Sequence, residues 1–362
     1  MTDAVSGAVS GKQLVVGMYA HHQGSGHLNR CRSIARRLAN RGARVEIFSS
    51  APNVGSFLST PTWTEQQIPL DFDDPQSGRD EVRDPRAGDT LHWAPLQHPG
   101  YRERMAVLAA WIRSARPDVF YVDVSVEVAV FVRLLGVPVI NIAMPGERWD
   151  APHQLAYAQA AGIIAAFPQS VPLPAHLEAH ASRVHRVGGI STFEDSVPEV
   201  AHTEAERESN RVLVMQGMGG TGWADDYWDH VQQACPDYQF TFLGGEYRSD
   251  NPLVEMTEAD VVISAAGQNS VADIALSGKP CVLLPQQRAF AEQFATARAA
   301  ESLGLTLNRE EAPAPEKWPA LLRKASQMSP EWEKWQVEGA ADRAAERILA
   351  IAKENRSEGE PA

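Results

Sequence analysis

The chain has 362 residues, 44% hydrophobic and 22% charged, and its 33 basic against 46 acidic side chains give a formal net charge of −13. That length suits two domains with full cores, and so acidic a surface excludes nucleic acid and anionic lipid as bulk partners, so no strong membrane binding is expected. Three widely spaced cysteines, Cys31, Cys235 and Cys281, form no CxxC pair, which excludes a disulfide framework and points to a reduced, cytoplasmic protein.

In chain order, "MTDAVSGAVSGK" lacks the basic start of a signal peptide, and no apolar run reaches the about 20 residues of a membrane span. Short apolar runs then alternate with stretches of helical period. The first half reads as strand "QLVVGMYA", helix 28–40, strands "ARVEIFSS" and "DVFYVDVS", helix 127–135, strand "VPVINIAM", and short runs at "GIIAAFP" and "VHRVGG". Alternation of this kind, with nearly all-apolar strands, predicts a parallel sheet covered on both faces. Residues 70–101, rich in Pro, Asp and Gly, break the pattern and read as a functional loop or a disordered insertion. After a polar linker over 191–210 the alternation restarts: strand "RVLVMQG", turn "MGGTG", helix 223–235, strands "YQFTFLGG" and "ADVVISAAG", helix 269–276, strand "KPCVLLP" and helix 290–303. One long helix is expected over 330–355. The fold class is therefore α/β, with two doubly wound halves facing across a cleft.

The turn "HHQGSGHLNRC" follows the first strand. Gly24 and Gly26 match a dinucleotide fingerprint, but Asn29 stands where the third glycine belongs, and no Gly-Lys-Ser/Thr follows for a phosphate loop. What remains is a tight turn delivering His27 to a helix start, as a proton acceptor or as a capping and packing residue. Asp123, at the end of "VFYVD", emerges at the same sheet edge and suits the partner of His27 in a dyad; Asp118 belongs to the opposite edge. His21, His22 and His27 lack the accompanying ligands of a metal site, so none is expected.

In the second half, "QGMGGTG" offers Gly219, Gly220 and Thr221 as a diphosphate cradle. Ala266, Gly267, Gln268, Asn269 and Ser270 enter another helix, and Asp273 in its first turns suits ribose hydroxyls. Gln287, Glu292 and Gln293 are polar groups of the kind that meet a sugar, although such pairs also occur on solvated helix faces.

Together these motifs, above all "AAGQNSVADIALSGKPCVLLPQ", resemble the GT-B glycosyltransferases, most closely the family 28-like branch of the peptidoglycan-precursor N-acetylglucosaminyltransferase. The resemblance implies two Rossmann-like domains: residues 12–195 binding the acceptor, 196–328 binding the nucleotide sugar, and 329–355 crossing back to the first domain. It implies His27 as base with Asp123, Asp273 on the ribose, and Glu292 and Gln293 on the sugar. A UDP-sugar is then the co-substrate, with no further cofactor and no metal. An acceptor in the first domain would meet His92, Trp93, Arg148 and Trp149, residues that equally suit packing of their own loops. "GSGHLNRC", with Arg30 and Cys31, is also similar to the nucleotide-sugar hydrolases of pseudaminic acid synthesis, in which water replaces the acceptor.

Overall fold

The computed structural model describes residues 12–55, 63–71, 82–196, 210–216, 222–223, 226–245, 247, 249 and 251–359. The first sheet is built from β1 (Val15–Ala20), β2 (Arg44–Ser49), β3 (Trp63–Gln67), β4 (Val119–Asp123), β5 (Val139–Ala143), β6 (Gly162–Ala165) and β7 (Val184–Arg186). Its helices are α1 (Gly26–Asn40), α2 (Pro99–Ala115), α3 (Val126–Leu134) and α4 (Ala151–Gln159). All strand pairs are parallel, in the order β3-β2-β1-β4-β5-β6-β7. Every residue of β4 and β5 is buried, as a sheet covered on both faces requires.

The second sheet holds β8 (Arg211–Met215), β9 (Gln239–Leu243), β10 (Val261–Ser264), β11 (Cys281–Leu283) and β12 (Leu307–Asn308), parallel in the order β12-β11-β10-β8-β9. It carries α5 (Tyr227–Ala234), α6 (Pro252–Glu258), α7 (Gln268–Ser277), α8 (Glu292–Ser302) and α9 (Trp318–Ser326). In each sheet the winding reverses beside the first strand, between β1 and β4 and between β8 and β10. Ligands of such sheets bind beyond the carboxyl ends of the strands at that reversal. The registers that pair Ala20 with Asp123 and Met215 with Ser264 fix where those ends lie.

Several elements differ from the sequence expectation. The segment 70–101 reads as loop to its end, yet α2 begins at Pro99, a favoured first helical residue, with the His98 ring accepting from the Tyr101 amide. The edge strand β3, "WTEQQ", was not anticipated because Trp63 alone of its residues is buried. The short helices α4, α6 and α9 were missed as well. The single tail helix is in fact two pieces. A 3₁₀ turn at Trp332–Trp335 packs its tryptophans into the second domain's core, Gln336 turns left-handed (φ 56°), and α10 (Ala340–Gly359) follows.

The break lets the chain change domains. α10 lays Ala340, Ala341, Ala344, Ala345, Ile348 and Ala352 into the core beneath β1, β2 and α1. These small side chains recur at helical spacing and admit close approach to α1. Arg37 on α1 and Arg41 just after it pair with Asp342, and Arg356 near the end of α10 grips Asp118, which lies at the amino edge of the sheet beside Val15 as expected. Ile348, fully buried, is the test of this packing: Ile348→Ala should destabilise the protein by about 2–5 kcal/mol, read as the shift of the denaturant unfolding curve.

Candidate functional site

At the first reversal, β1 ends at Ala20 and the chain passes through Gly24 (φ 73°) before α1 begins at Gly26. This turn places the His27 Nδ1 2.7 Å from Asp123 Oδ1. Asp123 has no exposed surface. Its carboxylate also receives Arg30 Nε and Nη2, each at 2.7 Å, and the Tyr121 hydroxyl at 3.0 Å. Burial alone would raise its pKa; the Arg30 charge and bonds, then His27, outweigh burial and hold it well below the usual carboxylate range. Val124, the next residue, is left-handed at φ 62°, a conformation a β-branched side chain resists. The same strain recurs at Ala266 (φ 62°) after β10, so both reversals carry a strained turn.

A cleft of about 240 Å³ opens between the two sheets, with His27, Arg30, Gly267, Ser270, Asp273 and Glu292 among its walls. The N-termini of α1 and α7 both line it, and no side chain caps either. Uncapped amides at a helix start attract an anion, and here two such ends share one cleft.

The expected nucleotide residues fall into three groups. Gly219, Gly220 and Thr221 lie outside the described residues. Gly267, Gln268, Asn269, Ser270, Asp273 and Glu292 line the cleft. Asp273 is buried, its Oδ1 accepting from Ser191 Oγ (2.6 Å) and the Thr192 amide (3.0 Å), and burial lifts its pKa to about 6 in spite of both bonds. Gln268 and Asn269 both accept from Arg30 Nη1, at 2.8 and 3.1 Å, while Gln268 Nε2 donates to Ala166 O and Asn269 Nδ2 to Gly26 O, so their side chains join the two domains. Gln293 accepts from the Gln286 amide at 2.8 Å, and Gln287 is exposed. Its buried neighbour Gln286, which the sequence reading passed over, accepts from the Gly222 amide at 2.7 Å.

On the other side of the cleft, Glu127 fixes the His92 and Trp93 amides, and the Trp93 indole donates to Asp71 O. Arg148 is buried, its guanidinium over the Phe290 ring (4.5 Å) and bonded to Glu292 at 3.2 Å and to His153 Nε2 at 2.9 Å. Asp150 bridges His92 Nε2 and His153 Nδ1, each at 2.7 Å; burial works against its charge, but the two imidazoles bring its pKa down to about 2. His92, Asp150 and His153 are the one group among the described residues with ligand spacing for a metal. Arg148 argues against that use. It donates to His153 Nε2, so the His153 proton sits on Nδ1, the atom that a metal would need, and burial with the Arg148 charge lowers the pKa of His153 to about 4. Trp149, 59% exposed, lines a separate, mainly apolar cavity of about 280 Å³ with Phe167, His176 and Trp335.

Residues 186–348 match the glycosyltransferase family 28 C-terminal domain. No curated protein matches the chain. Among solved structures the chain is similar to the glycotransferase of kitacinnamycin, at 17% identity over 94% of this chain and 100% of that one, with a TM-score of 0.67. It is similar also to MurG of Acinetobacter baumannii (14%, 93% and 99%, TM-score 0.56) and to UGT71G1 of Medicago truncatula complexed with UDP-glucose (14%, 94% and 99%, TM-score 0.64). The fold is GT-B. The match to a glycosyltransferase domain falls in the C-terminal half, and the cleft between the two halves is the GT-B interdomain cleft.

Within that cleft the sequence reading missed Arg30 as a partner of the dyad. The signal was present, because a residue three positions after His27 on one helix shares its face. The raised pKa of Asp273 gives a test of its burial. The folded state binds that proton more tightly than the unfolded chain, so its contribution to stability is present below pH 4 and declines as pH rises through about 6. Relative to Asp273→Asn, the wild-type protein should lose about 1.4 kcal/mol per pH unit across that window, measured by denaturant unfolding.

Proposed function

We propose that this protein transfers a sugar from UDP to an acceptor hydroxyl, with His27 as general base and Asp123 orienting it. The observation that carries the reading is the 2.7 Å His27–Asp123 contact on a cleft whose facing wall is the uncapped start of α7. With the Nδ1 proton directed at Asp123, Nε2 is the atom that takes the acceptor's proton. The acceptor oxygen then attacks the anomeric carbon as its bond to the diphosphate breaks, and the developing negative charge meets the amides of α7 and α1. Asp273 engages the ribose and Glu292 the sugar. We read residues 12–195 as the acceptor domain, 196–328 as the donor domain and 329–355 as the returning segment. UGT71G1, complexed with UDP-glucose, supports a UDP-sugar as donor.

The acceptor enters from the side of His92, Trp93, Arg148 and Trp149. No described helix is long and apolar enough to cross a membrane. The three cysteines are free and buried, which fits work in the cytoplasm. The donor phosphates are met by helix ends rather than by a cation, so turnover should persist undiminished in excess EDTA.

Substitution of His27 by Ala should lower turnover about 10²–10⁴-fold while UDP still binds by calorimetry; unchanged turnover removes His27 from the chemistry. Resemblance to nucleotide-sugar hydrolases at Arg30 and Cys31 keeps water in view as an acceptor. Incubation with a panel of UDP-sugars and no acceptor decides between the two: complete release of UDP establishes hydrolysis, and release only on adding an acceptor establishes transfer.

A further inference from the structure

The guanidinium of Arg30 makes more contacts than an ion pair requires. It is 2% exposed and faces three ways. Nε and Nη2 clasp Asp123, Nη2 also reaches Met144 Sδ at 3.2 Å and stands 3.3 Å from His27 Nδ1, and Nη1 crosses to Gln268 and Asn269 on α7. Asn269 returns a bond to Gly26 O, the residue before His27. A purely structural pair inside the first domain would need Asp123 alone. Here two acceptors of one guanidinium nitrogen belong to the other domain, and both lie in the first turn of the helix proposed to meet the diphosphate.

We infer that Arg30 is a positioning residue that couples the His27–Asp123 pair to the approach of the nucleotide-binding domain; this rests on the reading of His27 as base. When the domains part, Nη1 loses Gln268 and Asn269 together and the fork on Asp123 is no longer held from behind. When they meet, the planar guanidinium fixes the carboxylate, and the carboxylate fixes the imidazole. The base is aligned in the same movement that brings the donor over it. Lysine cannot replace arginine here, because one ammonium cannot hold both oxygens of Asp123 and reach α7 as well.

The test uses the full chain labelled with ¹⁵N-histidine, the Nδ1–H signal of His27 being assigned by its loss in His27→Gln. With UDP added, the wild-type signal should be sharp and protected from exchange with water. In Arg30→Lys, and independently in the double variant Gln268→Ala with Asn269→Ala, it should broaden or exchange away. The Kd for UDP should stay within about threefold and kcat on the UDP-sugar that the wild type turns over should fall about ten- to a hundredfold, as expected for a small misalignment. Combining all three substitutions should cost no more than the worse of the two sets, since both break one linkage. An unaltered His27 signal in the double variant, or strictly additive losses in kcat, overturns the coupling. Should His27→Gln retain full turnover, the base assignment fails instead, and the exchange measurement still decides whether the domains are linked through Arg30.

Discussion

Asp123 carries its charge where no water reaches it, and its ion pair with Arg30 is the interaction on which the cleft depends. Removing a carboxylate from water costs several kcal/mol, and the cost is offset only when hydrogen bonds saturate both oxygens. Arg30, His27 and Tyr121 do so. The chain is acidic overall, yet Arg30, Arg104 and Arg148 are all buried around the carboxyl ends of the first sheet. Arg104 binds the Tyr19 and Ser50 hydroxyls and the Pro69 carbonyl, anchoring the floor of the same edge. Net charge thus describes the outer surface and says little about the cleft.

Besides the bonds of Ser191 and Thr192 to Asp273, two further sets of contacts join the domains at that cleft. One is the Arg30 linkage. The other is the loop before α8, where Phe290 and Ala291 are both left-handed, Phe290 O accepts from the Glu147 amide at 2.8 Å, and Glu292 meets Arg148. Gly146 is required there, since a Cβ would fall 2.1 Å from Phe290 O and its own φ is 99°. Both seams use residues next to the proposed donor contacts, so domain contact and donor binding are sensitive to the same few side chains.

The two parallel sheets, the first glycine turn and the contact of His27 with Asp123 were legible in the sequence because they follow from local pattern and strand polarity. A residue at the end of an apolar strand in a parallel sheet has only one edge to occupy. Partners across the domain boundary were not legible. Gln268 and Asn269 line the cleft and also bond to the first domain, and nothing local in the sequence shows that second set of contacts. Gln286 and Gln287 are adjacent, and which one turns inward depends on the backbone just past β11. The tail was read as one helix because Trp332, Trp335 and the alanines share a helical period; the left-handed Gln336 and Gly339 interrupt it only in three dimensions.

The crossing of α10 also sets the order in which the molecule can be completed. A chain leaves the ribosome from its N-terminus, and independent domains ordinarily fold in that order. Here the layer beneath β1, β2 and α1 includes Ala344, Ile348 and Ala352, which follow the whole second sheet in the chain. Until they emerge, Leu28, Ile34 and Leu38 of α1 lack part of their cover, although they were synthesised more than three hundred residues earlier. The first domain's core is therefore completed only after the second domain has been translated, and until then the growing chain carries an open apolar face.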